Sequence, residues 1–324
     1  MENSLRILER HEDSLATRHV LVVGADDSAF QSLPCASLCV HSDDGSLFPS
    51  SASVTSSMLP HVPAQTDLII VVLPKSRPQL AFWLSSVCGQ ITRPTEVWLV
   101  GAASGGIRGG VTTLKEFSAS ATQFDSARHC KLFAGELQAA PFELEKFETR
   151  WRHAELEMVS YPGVFSHGRL DAGTLLMLEL LAGHSPHFGS ALDIGCGAGV
   201  ISAVLAKRGT KVTSIDVSAT AVAATQRTFA ENNLAENCLQ SDVFSNVSDR
   251  FDAIVTNPPF HDGTRRTTEV TQRLIREAPQ YLNKGGALWL VANQGLPYAD
   301  ALHAAFKHVE VVGENRHFKV WKAQ

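Results

Sequence analysis

Ala191-Leu192-Asp193-Ile194-Gly195-Cys196-Gly197-Ala198-Gly199 runs an apolar strand directly into three glycines at alternate positions, and Val200 to Arg208 then fits a short helix. Glycines at such a turn let the backbone approach a ligand closely, and the helix start offers free N–H groups to an anion. A dinucleotide-binding turn needs G-x-G-x-x-G, but the third glycine position counted from Gly195 is filled by Val200. A strand, a glycine loop and a helix in this order seed a mostly parallel α/β sheet covered on both faces.

Reading outward, Asp216 lies 21 residues beyond Gly195, at the end of the apolar segment Val212-Thr213-Ser214-Ile215. A carboxylate at this spacing in nucleotide-binding folds accepts the ribose hydroxyls. Ser241-Asp242-Val243 falls where a third strand should end, and Asp242 can accept from an adenine amino group there. Helices are expected over Ala219 to Asn232 and over Thr268 to Leu282; in the second, Val270, Leu274, Ala278 and Leu282 recur every four residues. Lys284-Gly285-Gly286 reads as a turn before the next strand.

The first half repeats the series faintly. His19 to Gly24, Thr66 to Pro74, Val97 to Val100 and Arg128 to Phe133 answer to Ala191 to Gly195, Phe251 to Pro258, Leu288 to Val291 and Arg316 to Trp321. From the Trp-Leu-Val segment to the Arg-His segment is 30 residues in one copy (98 to 128) and 27 in the other (289 to 316). A duplicated Rossmann-like domain follows. With 324 residues the chain suits two domains, taken as 1–150 and 151–324 and joined within the charged stretch from Glu136 to Tyr161.

The net charge of −5 divides into −4 for residues 1–150 (12 basic, 16 acidic) and −1 for the rest (16 basic, 17 acidic). Neither half is basic enough for tight non-specific binding of naked nucleic acid, which depends on neutralising phosphates. Any nucleic-acid substrate must therefore meet a local patch. Six cysteines without a C-x-x-C pair, and thirteen histidines without ligand spacing, predict no metal site and no disulfides. The chain has no run of 18 apolar residues and no secretion signal, so a cytoplasmic protein is expected.

The D-x-G-x-G-x-G loop resembles motif I of class I methyltransferases, which implies S-adenosylmethionine as cofactor. By that resemblance Asp193, Gly195, Cys196, Gly197, Gly199, Asp216 and Asp242 are its candidate ligands, Cys196 acting only as a small filler. Asn257-Pro258-Pro259-Phe260 follows the next apolar strand and speaks for the acceptor. An aromatic amine is a poor nucleophile because its lone pair is delocalised into the ring. Two acceptors aimed at its N–H groups turn that lone pair toward the methyl, and the Asn257 side-chain oxygen and the Pro258 carbonyl can supply them. Successive prolines stiffen the turn, and Phe260 can stack on a base. Asn257 also borders the cofactor. His261, Arg265 and Arg266 are candidates for substrate contact, with Arg273 and Arg276 extending a basic patch.

Residues 151–324 resemble the N-P-P-F methyltransferases that act on exocyclic amines. Over its whole length the chain resembles the tandem-domain guanine-N2 methyltransferases of bacterial small-subunit ribosomal RNA. The matching segments are Gly163-Val164-Phe165-Ser166 with Leu170-Asp171, Asp193 to Gly199, Asn257 to Gly263, Val291-Ala292-Asn293 and Asp125-Ser126-Ala127-Arg128. The resemblance implies a catalytic C-terminal domain and a degenerate N-terminal copy serving recognition or structure. It also implies 16S ribosomal RNA in the 30S subunit as partner, and a monomer. Guanine-N2 methylation of 23S ribosomal RNA, adenine-N6 or protein-glutamine methylation, and a non-catalytic RNA-binding assembly role stay open as alternatives.

Overall fold

The structure is a computed structural model. It describes residues 3–47, 54–184, 187–258 and 265–324, and the side chains of all these except 265–267. The chain divides into two compact units: Met1–Glu148 with Tyr161–Gly163, and Thr149–Ser160 with Val164–Gln324.

The first unit runs α1 (Asn3–Leu8), α2 (Glu12–Leu15), β1 (His19–Val23), β2 (Ser37–Ser42), β3 (Val54–Ser56), β4 (Leu68–Val72), α3 (Arg77–Cys88), β5 (Thr95–Ala102), α4 (Ile107–Leu114), β6 (Ser118–Ala127) and β7 (Cys130–Leu137). The second begins with a hairpin of β8 (Thr149–His153) and β9 (Leu156–Ser160), followed by α5 (Ala172–Gly183), β10 (Ser190–Ile194), α6 (Val200–Lys207), β11 (Lys211–Asp216), α7 (Ala219–Glu231) and β12 (Cys238–Gln240). It ends with β13 (Phe251–Thr256), α8 (Arg265–Glu277), β14 (Leu282–Asn293), α9 (Ala299–Ala305), β15 (Val309–Glu314) and β16 (Phe318–Ala323).

The two sheets have one topology. Their orders are β3-β2-β1-β4-β5-β7-β6 and β12-β11-β10-β13-β14-β16-β15. In each, five parallel strands are closed by an antiparallel pair. Each of the four segment pairs read from the sequence occupies the same place in both orders, so the duplication is real at the level of fold.

Buried parallel strands read as unbroken apolar runs because both faces are covered. In the second unit, alternate residues of each strand serve opposite layers. Ala191, Ala253, Val255, Trp289 and Val291 pack with Met177, Ile201 and Phe229 on one side, and Leu192, Ile254, Leu288 and Leu290 pack with Leu274 and Leu302 on the other.

Three local expectations are corrected. Lys284-Gly285-Gly286 is not a turn ahead of a strand but lies inside β14. There the β13 register jumps between Phe251↔Leu282 and Ala253↔Ala287, and Gly285 takes φ +80°: the glycines make a bulge. Arg128-His129 and Arg316-His317 are hairpin turns rather than strand starts, the strands beginning at Cys130 and Phe318. The helix expected over 268–282 ends at Glu277 and continues as a 3-10 turn, Ala278–Tyr281, because Pro279 has no N–H to give the ladder.

The first unit has lost its ligand cradle. Gly24 ends β1 as Gly195 ends β10, but the Trp83 ring lies against it, so that a Cβ there would sit 2.4 Å from the ring. Trp83 Nε1 donates to the Met58 carbonyl. His41 is fully buried, with Nδ1 accepting from Gly24 N and Nε2 donating to Ser57 O. Burial holds the ring down to about 4, hence neutral. Register pairs Val23 with His41 and Ile194 with Ile215, so Ser42 stands where the second unit has Asp216.

Candidate active site

In the second sheet the order of strands reverses between β10 and β13. Open α/β sheets bind ligands in the crevice beyond the carboxyl ends of strands at such a switch point. The glycine loop leaves the end of β10 and Asn257 leaves the end of β13. Topology therefore brings together two motifs more than fifty residues apart.

The loop is held from below and left open above. Gly195, Gly197 and Gly199 have φ of +76°, +57° and +78°, the left-handed region that costs other residues about 1–2 kcal/mol. Asp216 organises it: Oδ2 accepts from Gly197 N at 3.0 Å and Oδ1 from Ser218 N at 2.9 Å. Thr225 of α7 donates to the Gly197 carbonyl and to Cys196 Sγ. Cys196 is buried and its thiol is pushed well above the usual range by that burial, which suits filler and not a nucleophile. Gly199 is needed for packing, since a Cβ there would stand 2.9 Å from Thr225 Cγ2 and 3.2 Å from its backbone Cα. A Cβ on Gly197 would meet nothing within 4 Å, and one on Gly195 only the Asn257 carbonyl, at 3.9 Å. That open space is the fit a small-molecule cofactor requires.

Asp193 is fully buried beneath the loop. Its Oδ2 accepts from Ser202 N and Oγ at 3.1 and 2.6 Å, while Oδ1 has no partner among the described residues. Burial raises its carboxyl to about 7, against the opposing pull of the Ser202 hydrogen bonds. Asp242 forms an ion pair with Arg273 at 2.6 Å. Arg273 of the basic patch is thus tied to Asp242 while its side chain stays about a third exposed (34%).

A cleft is lined by Gly195, Cys196, Gly197 and Asn257 among the expected residues; Asp193, Gly199, Asp216, Asp242 and Pro258 are not on its wall. Phe260 and His261 lie outside the described residues, and so do the side chains of Arg265 and Arg266. The wall also includes Trp151, Phe165, Arg169, Asp171 and Thr174, to which the sequence reading gave no role. The signal was present: Asp171 is followed three residues later by Thr174 ahead of an apolar helix, a helix-start pattern. Asp171 does cap α5, accepting from Thr174 N at 3.0 Å. It also accepts from Asn257 Nδ2 at 2.9 Å, and Thr174 Oγ1 accepts from the same nitrogen at 2.8 Å. Asn257 Oδ1 is buried without a partner among the described residues.

The Methyltransferase small domain family matches residues 155–322, and Methyltransferase small domain N-terminal matches residues 6–151. A protein of Alcanivorax borkumensis named ribosomal RNA small subunit methyltransferase C is 47% identical, over 100% of this chain and 99% of its own. The chain belongs to the small-subunit ribosomal RNA methyltransferase C family. The Escherichia coli K12 protein of that name is 40% identical over 80% of this chain and 76% of its own. A T. thermophilus 16S rRNA N2 methyltransferase, solved with AdoMet and guanosine, superposes with a TM-score of 0.81 over 95% of this chain and 88% of that one, at 22% identity. The methyltransferase C fold, two units included, is therefore the fold of this chain.

Proposed function

We propose that this methyltransferase transfers the methyl group of S-adenosylmethionine to the exocyclic N2 of a guanine in 16S ribosomal RNA, within the 30S subunit. The observation that carries the reading is Asn257 Oδ1, a buried acceptor unsatisfied among the described residues, on a residue that lines the glycine-loop cleft. Buried polar atoms are almost always paired, and this one awaits a donor such as an amine. Names support the rest: the relatives act on small-subunit ribosomal RNA, and the T. thermophilus protein acts on N2 and was solved with AdoMet and guanosine.

S-adenosylmethionine would supply a methyl made electrophilic by its sulfonium; the N2 lone pair would take it as the carbon–sulfur bond breaks, the cofactor leaving as a neutral thioether and one N2 proton passing to water. The chain contributes position. Gly195, Gly197 and Gly199 admit the cofactor close to the backbone, with Asp193 beneath them. Asp216, at the end of β11, would accept from the ribose hydroxyls, and Asp242 would border the adenine. Asn257 Oδ1 and the Pro258 carbonyl would accept hydrogen bonds from the two N2–H groups. Phe260 stacks on a guanine drawn out of its helix, with His261, Arg265 and Arg266 on the RNA. The first unit, its own cradle filled by Trp83, serves recognition or structure. The enzyme works as a cytoplasmic monomer.

Radiolabelled cofactor offered with 30S particles, 50S particles and naked 16S RNA tests this. Label should enter 30S particles; label in 50S particles alone, or in none, would refute the assignment.

A further inference from the structure

The Asn257 amide has only one orientation open to it. An ionised carboxylate only accepts hydrogen bonds, so the atom 2.9 Å from Asp171 Oδ2 must be the nitrogen. Its second hydrogen goes to Thr174 Oγ1 at 2.8 Å. Turned over, the amide would set its oxygen against the carboxylate and lose that bond, and the Thr174 hydroxyl, which can donate as well as accept, would have to turn its hydrogen to keep the other. Left free, an asparagine χ2 is broad and roughly two-fold, and the residue would present nitrogen to the cleft as readily as oxygen. Asp171 caps α5 and Thr174 lies in its first turn, Asp171 also accepting from Thr174 N at 3.0 Å. One helix cap thus fixes the amide and its own geometry together.

We propose that Asp171 and Thr174 are positioning residues for methyl transfer, locking Asn257 with its oxygen toward the acceptor. The inference rests on the reading of Asn257 Oδ1 as the ligand of the acceptor amine. It adds a source of specificity: an amide held oxygen-outward accepts from an exocyclic amine and repels a keto group at the same place. A nitrogen-outward amide would do the reverse.

The test uses the full chain and single-turnover methylation of 30S particles, with cofactor affinity by calorimetry and Tm measured alongside. Thr174→Val removes one anchor while the backbone cap on residue 174 remains. Asp171→Ser keeps a good cap residue but is too short to reach Asn257. Each should slow turnover on the order of 10-fold, less than the 10²–10³ expected for Asn257→Ala, with cofactor affinity and Tm near wild type. Thr174→Ser and Asp171→Asn, which keep an acceptor in place, should restore the rate. Thr174→Val in the Asn257→Ala background should cost nothing further. Wild-type turnover in Thr174→Val and Asp171→Ser, with Asn257→Ala still slow, would overturn the positioning role and leave Asn257 standing. So would full additivity in the double variant. Wild-type turnover in Asn257→Ala would overturn the underlying reading instead. Were Asp171→Ser to unfold, Thr174→Val decides alone.

Discussion

Asp193 couples the cradle to pH. Its carboxyl is raised to about 7 in the fold, from 3.8. The folded state therefore holds a proton that the unfolded chain has released between those values. Stability falls where the native state binds more protons, so this residue costs stability as pH rises from about 4 to about 7, and the loss is complete above that. Asp193→Asn, which cannot ionise, should escape it. The Tm difference between variant and wild type should grow in the variant's favour across that window and level off beyond it. A difference independent of pH would remove the raised carboxyl from the account. For roles, Asn257→Ala should slow turnover on the order of 10²–10³ and spare cofactor affinity, whereas Asp216→Ala should weaken cofactor binding first, because it loosens Gly197. Calorimetry on both variants checks this, and equal losses of affinity would break the division. The glycine loop and Asn257 were legible because each lies within one short motif. Asp171 and Thr174 were not read as site residues: they reach Asn257 only by folding across more than eighty positions, and their local pattern is that of any helix start. The Arg273–Asp242 ion pair was not read, because the two residues lie 31 positions apart.

At the scale of elements, the contact between the start of α6 and the side of α7 sets the loop. Gly199→Ala adds a Cβ 2.9 Å from Thr225 at φ +78°, which should destabilise by about 2–4 kcal/mol and lower cofactor affinity. Gly197→Ala meets open space and should cost about 1–2 kcal/mol for its backbone alone. Urea unfolding of the two variants separates them; equal losses would mean that the α6–α7 contact does not set the loop. Strand positions were read well, since fully buried parallel strands such as Leu68–Val72 announce themselves as apolar runs. Their ends were read less well. Arg-His in both copies looked like strand because neither turn, of two residues in the first and three in the second, carries a glycine; Arg128 and His129 instead take φ of +53° and +61° themselves. Nor does local sequence separate the Lys284-Gly286 bulge from a turn, because the difference is made by pairing with β13.

At the scale of the molecule, one architecture occurs twice and only one copy retains an open cradle. The faint repeat revealed the duplication. The filling of the first cradle lay beyond reach, since Trp83 comes from α3, far along the chain from Gly24. Titration of the full chain with S-adenosylmethionine should give one site per chain, lost in Asp216→Ala; two sites would show that Trp83 yields. The central claim is that this chain makes one amine, N2 of a guanine, into a methylamine. Its most direct test is to digest 16S RNA from treated 30S particles to nucleosides and identify the one that carries label. N2-methylguanosine, formed by the wild type and absent with Asn257→Ala, is the predicted result. Label in an adenosine, in a cytidine, or at another atom of guanosine would contradict it.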